Sequence, residues 1–250
     1  LNTILDRNIN KEPLKNDLEV EEVEKELKNS TFFLKAVESR SQTSNPKPPF
    51  RTSTLQMAAA SNLGFTADRT MQSAQRLYEG GFITYLRTDG ISISTSPNTG
   101  EPFSEENPGP PPLEEIRNFI RSNYAKTYLS KETRIFKSKV QNSQEAHEAI
   151  RPTDIFKTPK DTILNADEAK LYELIWNRTV ASQMESSKYE RKTLVISSSD
   201  GKYEFRASSR KNIFQGFEIL ISASEKEDSF FPEDLSCLLY TSPSPRDFAI

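Results

Sequence analysis

Leu77-Tyr78-Glu79-Gly80-Gly81-Phe82-Ile83-Thr84-Tyr85-Leu86-Arg87-Thr88-Asp89 is the stretch on which the reading of this chain turns. A helical face ending in Leu77 and Tyr78 runs into two glycines, and glycine just past the last turn ends a helix. The short apolar run that follows is read as a strand ending in Tyr85. Residues two apart on a strand point to one face. Tyr85, Arg87 and Asp89 are therefore expected to present a hydroxyl, a fixed cation and a carboxylate together. A nucleophile beside a phosphate-binding guanidinium suggests phosphoryl transfer through a covalent tyrosine intermediate. Taken alone, the stretch is more ordinarily read as a packed ring with a wet hydroxyl, the usual state of a tyrosine at a strand end.

Working outward, Thr66 is placed to cap the preceding helix, whose face carries Met71, Ala74, Leu77 and Tyr78. Before it, Ser53 or Thr54 caps a helix running to about Leu63. Glu19 to Leu27 reads as a short helix, with Val20, Val23 and Leu27 at helical spacing. Thr31 to Glu38 reads as a strand. Ser39 to Pro49, with three prolines, reads as a domain connector. Residues 95–112 hold six prolines and two glycines, which predicts a surface loop. Leu113 opens a helix with Ile116, Phe119 and Ile120 inward. An Asn165 cap with Glu168 three residues later opens another, running to about Met184, with Leu171, Leu174, Ile175 and Trp176 on its apolar side. Arg191–Ser197 and Lys202–Ala207 flank Ser199-Asp200-Gly201, a hairpin signal. Gly216–Ile221 reads as a further strand.

The expected fold is mixed α+β, with a helical nucleophile-bearing domain inserted in a β-rich arch domain. The boundaries read as 1–48 for the first part of the arch, 49–186 for the helical domain and 187–222 for the returning strands. Residues 223–250 read as an acidic linker and a non-native tail, since the stretch from 236 on fits no pattern. The chain opens on Leu1 with no basic-then-apolar leader, and it is read as a piece whose beginning is missing.

Composition narrows the chemistry. One cysteine, Cys237, and one histidine, His147, exclude a disulfide framework and any multi-cysteine or multi-histidine metal cluster. No run of about 18 apolar residues is present, so no helix is expected to span a membrane. The formal net charge of -3 argues against a generic nucleic-acid binder. The charge is uneven, however. Residues 17–26 carry six acids and one lysine, while 116–160 carry ten Lys/Arg against four Asp/Glu. That basic middle fits a polyanion partner, and also a solvated face. The chain has no Gly-x-x-x-x-Gly-Lys phosphate loop, which is consistent with a reaction that uses no nucleotide.

A second constellation is Gln144-Glu145-Ala146-His147-Glu148-Ala149-Ile150-Arg151-Pro152-Thr153-Asp154. If 144–151 is helical, Gln144, His147 and Arg151 share a face. Histidine with arginine suits a phosphodiester, one bonding or protonating an oxygen and the other neutralising charge. A zinc-protease motif at His147-Glu148 is excluded, because position 151 is not histidine.

Together with Pro49-Phe50-Arg51-Thr52-Ser53-Thr54-Leu55-Gln56, Arg69-Thr70-Met71-Gln72, Leu171–Trp176 and Thr179–Met184, these blocks closely resemble the type IA DNA topoisomerases of the bacterial topoisomerase I kind. The resemblance covers about residues 30–221, with the blocks in the family's order. It implies that Tyr85 attacks a DNA phosphodiester and stays joined to the five-prime end. Arg87 then contacts the scissile phosphate and His147 assists from the neighbouring segment. Asp89 is expected to support His147 or Arg87. Ser53, Thr54, Gln56 and Arg151 are implied as DNA-strand contacts. The implied cofactor is Mg2+, held by an N-terminal domain that nothing in this chain matches. The implied partner is a single-stranded region of negatively supercoiled duplex. The implied enzyme is a monomer with no membrane association. Its compartment would be the bacterial cytoplasm and nucleoid, or a plastid or mitochondrion in a eukaryote. Position 90 is Gly where the family often has Ser, which reads as a lost hydroxyl and a looser backbone. The rival readings are a non-catalytic single-stranded DNA-binding paralogue, a tyrosine recombinase (whose arginines and tyrosine come in a different order) and an α/β interaction module without chemistry.

Overall fold

The computed structural model describes residues 4–6, 16–97, 109–137, 147–221 and 231. Gln144, Cys237 and most of the proline-rich 95–112 stretch lie outside these residues. The described chain falls into two compact units. One comprises 4–6, 16–43 and 188–214. The other comprises 44–97, 109–137, 147–187 and 215–221.

The first unit is a four-stranded sheet with one helix. Its strands are β1 (Ile4–Asp6), β2 (Phe32–Ser44), β3 (Ser187–Ser198) and β4 (Glu204–Phe214), in spatial order β1-β4-β3-β2. The turn signal at 199–201 forms as expected. β3 and β4 pair antiparallel with Ser197 opposite Glu204, Gly201 takes a positive φ of 72°, and the Asp200 carboxylate accepts from the Lys202 amide. Helix α1 (Asp17–Asn29) is capped by the Asn16 side chain and buries Val23 and Leu27. They pack in one cluster with Tyr203 and Phe205 of β4. The acidic residues of α1 are mostly solvated. Glu24 pairs with Lys28 along the helix, and the exposed Glu26 takes bonds from Lys202 and the Tyr203 hydroxyl. Those bonds, Lys202 first, hold its carboxyl below the usual range. The connector expected from Ser39 begins later than its composition suggested. Residues 39–44 stay in β2, where polar side chains find partners along the sheet, as Ser39 does on Glu190.

The second unit is helical. Its helices are α2 (Thr52–Leu63), α3 (Ala67–Glu79), α4 (Pro112–Asn123) and α5 (Ala166–Ala181). Thr66 caps α3 by accepting from the Arg69 amide. Asn165 caps α5 by accepting from the Asp167 and Glu168 amides. In α2 the cap is Arg51 rather than Ser53 or Thr54. Thr54 sits inside the first turn, where its hydroxyl accepts from the Arg51 amide. Helix α5 is the centre of the packing. Arg69 and Arg76 of α3 pair with Asp167 and Glu168 at its start. Phe119 of α4 meets the Trp176 ring edge-on at 5.2 Å. Leu171, Ile175 and Trp176 are buried, as their spacing predicted. The Trp176 indole donates to the Ile155 carbonyl and the Tyr172 hydroxyl to that of Lys157. These two bonds pin the 155–157 stretch to α5, just downstream of His147. Burial raises the Tyr172 hydroxyl far above its ordinary value, so it stays a neutral donor.

Gly216–Ile221 is not a strand. It forms a short 3-10 turn, Gly216–Leu220, that returns to the helical unit. The alternating Phe217, Ile219 and Ile221 mimicked a strand pattern. The backbone at Gly216 decides otherwise. Its φ is 52°, and an added Cβ would sit 2.5 Å from the Glu185 carbonyl oxygen. The Phe217 amide donates to that same carbonyl, and its ring joins the helical core.

Candidate active site

The segment from Phe82 to Asp89 is not a strand either. Only Ile83 makes an isolated bridge, to Pro152. The Thr84 amide donates to the Arg151 carbonyl and the Thr153 amide to the Phe82 carbonyl around that bridge, and beyond it threonine hydroxyls take the place of ladder partners. Thr84 Oγ1 donates to the Ala149 carbonyl and accepts from the Arg151 amide. Thr88 Oγ1 donates to the Glu148 carbonyl, and the Thr88 amide donates to Thr52 Oγ1. Thr52 Oγ1 in turn donates to the Leu86 and Thr88 carbonyls. Three strips of chain are thus sewn together: the start of α2, the 82–90 segment and the 147–153 segment. Thr84→Val, which keeps shape and removes both bonds, is expected to cost about 2–4 kcal/mol, roughly 1–2 for each buried partner left unpaired. Denaturant unfolding with an unchanged m-value would check it.

The helix expected over 144–151 is also absent from 147 onward. That stretch is extended, bridging Ser92 at Glu148 and Phe50 at Ile150. The helical spacing of His147 and Arg151 was a coincidence of an extended strip buried at Ala149 and Ile150. Arg151 turns away to a local partner. Its side chain is 12% exposed and its guanidinium binds Glu148 at 2.8 Å and the Pro152 carbonyl.

The strips leave one cleft, of about 450 Å3, lined by Arg51, Thr52, Ser53, Arg87, Thr88, Asp89 and His147. His147 Nδ1 lies 2.9 Å from Asp89 Oδ1. That bond, with help from an Asp89 backbone contact and the nearby Arg51 cation, holds the Asp89 carboxyl below its usual range. Both partners are half exposed, at 51% and 58%. An ion pair so wet adds little stability and is screened by salt. Its effect is to fix which way the imidazole faces. With Nδ1 engaged, Nε2 is left for a ligand. Among the described residues neither the Arg51 nor the Arg87 guanidinium meets a side-chain or backbone acceptor. Two cations whose guanidinium donors have no hydrogen-bonded acceptor among the described residues, beside a histidine, make a site for an anion with several oxygens, as phosphate has. Tyr85 is outside the cleft lining. It is 53% exposed, and its ring meets that of Tyr78.

Comparison with known proteins bears on the chain as a whole. A family model described as DNA topoisomerase matches residues 2–235. The chain belongs to the DNA topoisomerase family. A DNA topoisomerase 1 from Rickettsia bellii is 39% identical over 247 residues, covering 93% of this chain and 29% of the relative. The DNA topoisomerase 1 of Streptomyces coelicolor is 44% identical over 195 residues, covering 76% of this chain and 19% of its own. The full-length topoisomerase I structure from Thermotoga maritima matches with a TM-score of 0.68 at 34% identity, over 91% of this chain and 35% of that one. These relatives place the chain with the bacterial type IA enzymes, and it spans about a third or less of their length.

In this topoisomerase segment the structure brings Arg87, Asp89, His147 and Ser53 to one cleft. It does not bring Thr54, Gln56, Arg151 or Tyr85 into the lining. Arg51 was missed by sequence reasoning. The available signal was a cation directly before Thr52-Ser53-Thr54, where the macrodipole makes a cation unfavourable unless it serves another purpose. Gly90 also reads differently in three dimensions. An added Cβ would lie 1.9 Å from the His147 carbonyl oxygen, so glycine here permits close backbone approach rather than looseness.

Asp89→Asn gives a pH test of the histidine contact. A carboxyl whose pKa is lowered on folding adds stability above its unfolded range, near pH 4, and loses it as pH falls through the lower folded value. Because the pair is wet, the melting-temperature gap between wild type and Asp89→Asn is expected to be small, measurable at low salt above that range, and to close in that acidic window. A gap that persists undiminished below that window would exclude the contact.

Proposed function

We propose that this segment carries the cleaving nucleophile of an enzyme that relaxes negatively supercoiled DNA without ATP, by cutting one strand transiently and resealing it. The observation that carries this reading is the convergence of Arg51, Arg87 and an Asp89-oriented His147 on one cleft, with an exposed Tyr85 two residues before Arg87. The catalytic residues are Tyr85, Arg87 and His147. DNA is held by Arg87, Asp89, Ser53 and the newly found Arg51. Thr54 and Arg151 act in support of the surrounding backbone, and Gln56 is kept as a DNA-strand contact outside the cleft lining.

The chemistry balances without an energy source. The Tyr85 oxygen attacks phosphorus and loses its proton. The bond from phosphorus to the 3′ oxygen breaks, and that oxygen leaves with the electron pair and takes a proton. One phosphodiester is exchanged for another, joined to the five-prime end, so the reverse step reseals the strand. A tyrosine hydroxyl with a pKa near 10 is only about a thousandth ionised at neutral pH. Arg87 and Arg51 can neutralise charge on the non-bridging oxygens, and His147 Nε2 can face the leaving oxygen.

Magnesium belongs to the family resemblance. Among the described residues no group of three or more His, Cys, Asp or Glu side chains is arranged to hold a metal ion. These residues do not fit the ion, and no step above runs through it. We assign the helical unit, residues 44–187 together with 215–221, to a domain inserted in a β arch built from 1–43 and 188–214, which moves the boundaries expected at 48, 186 and 222 and returns 215–221 to the helical domain. Support comes from the chain order, which passes from sheet unit to helical unit after Thr43 and back at Lys188. The substrate is a single-stranded region of supercoiled duplex, the full enzyme is a monomer, and its place is the bacterial cytoplasm, as its bacterial relatives suggest. The 250 residues alone are expected to bind single-stranded DNA weakly, with strong salt dependence, and not to relax it.

The test is to quench the full-length enzyme with denaturant during cleavage of a single-stranded oligonucleotide and map the covalent adduct by mass spectrometry. A phosphodiester on Tyr85 supports the reading. Tight oligonucleotide binding with no adduct would instead assign a non-catalytic paralogue.

A further inference from the structure

We infer that Tyr78 is a positioning residue for the Tyr85 nucleophile, an inference that rests on the function proposed above. The backbone on both sides of Tyr85 is fixed, by Thr84 Oγ1 on one side and by the Leu86 carbonyl bonded to Thr52 on the other. The side chain is not. Its hydroxyl makes no hydrogen bond among the described residues, and its ring stands half in solvent. Free rotation about its side-chain torsions would carry the oxygen through several staggered positions.

Its one ring contact is with Tyr78, edge-on, with centroids 5.4 Å apart and planes at 69°. Edge-to-face rings favour one mutual orientation over others. Tyr78 is well placed to impose it. It lies on the last turn of α3, which is capped by Thr66, tied to α5 through Arg69–Asp167 and Arg76–Glu168, and buried at Ala74 and Leu77. Tyr78 itself is 40% exposed and its hydroxyl is unbonded among the described residues. It therefore adds little to the core on which its helix rests. The helix face read from the sequence placed Tyr78 inward with Leu77, whereas it points outward against the nucleophile. A ring carried on a braced helix and set edge-on against the nucleophile narrows the arc of the attacking oxygen, which raises the fraction in attack geometry without touching DNA.

The experiment uses the full-length enzyme and separates rate from binding. Single-turnover cleavage of a single-stranded oligonucleotide and its equilibrium Kd are measured for wild type, Tyr78→Ala, Tyr78→Phe and Tyr85→Phe. Tyr78→Ala is expected to slow cleavage roughly three- to tenfold, with Kd and melting temperature unchanged, and Tyr78→Phe to restore the rate. Cleavage by Tyr78→Ala at the wild-type rate overturns the inference. So does a Tyr78→Phe as slow as the alanine variant, which would assign the effect to the hydroxyl. A loss in Kd matching the loss in rate also overturns it, by making Tyr78 a base-stacking platform. An adduct that survives Tyr85→Phe sinks the proposed function instead. Loss of the adduct there, with Tyr78→Ala unaffected, sinks only the positioning role.

Discussion

In the full-length enzyme, Tyr85→Phe is expected to lower single-strand cleavage to background, a loss of at least about four orders of magnitude. The substitution removes one oxygen and keeps the ring. That oxygen has no hydrogen bond among the described residues, so nothing in the fold depends on it and the variant should melt with wild type. The edge contact with Tyr78 is retained as well. Loss of activity with an unchanged melting temperature and an unchanged oligonucleotide Kd would therefore isolate the nucleophilic step. Relaxation of negatively supercoiled plasmid by a Tyr85→Phe enzyme would remove the basis of the proposed mechanism.

Arg87→Ala carries the second large effect. Its guanidinium is exposed, opens on the cleft and meets no acceptor among the described residues. Substitution at such a position usually moves stability by no more than about 0.5 kcal/mol. Catalysis should respond very differently. Withdrawing a donor aimed at developing phosphoryl charge costs about 100- to 1000-fold in rate. Arg87→Lys returns the charge but not the planar fork that meets two oxygens at once, so only part of the rate should come back. Single-turnover rates for the three enzymes, each at saturating oligonucleotide, measure both losses. Equal rates for Arg87→Ala and wild type would leave the cleft without its catalytic cation.

The helices of the helical unit were legible because their signals are local. Thr66 and Asn165 mark helix starts within three residues of the amides they serve, and α3 and α5 begin where those residues say. The hairpin at 199–201 is local in the same sense. The strips around the cleft were not legible, because their conformation is set by partners about 35 to 70 residues away. Ile83 and Leu86 are apolar as a strand would require, yet beyond the short bridge to Pro152 their segment is bonded through hydroxyls of Thr52, Thr84 and Thr88 rather than through a continuing ladder. His147 and Arg151 sit at a helical interval in a strip that is extended. Sequence reasoning still paired His147 with one of two possible carboxylate arrangements, and the structure selects Asp89 on His147. Arg51 escaped notice because a residue just before a helix is ordinarily judged by its capping, and arginine has no oxygen to cap with.

Phe217 gives the helical unit a non-contiguous genetic definition. The ring is buried in the helical core and its amide is bound to Glu185, although the hairpin of the other unit lies between them in the chain. A truncation ending at Ser187 would therefore remove a plug from the helical core and expose apolar surface in its place. A soluble helical module would need residues 44–187 rejoined to 215–221 by a short linker, bypassing the hairpin. Gene boundaries drawn from the nucleophile segment alone would cut through the fold that holds it.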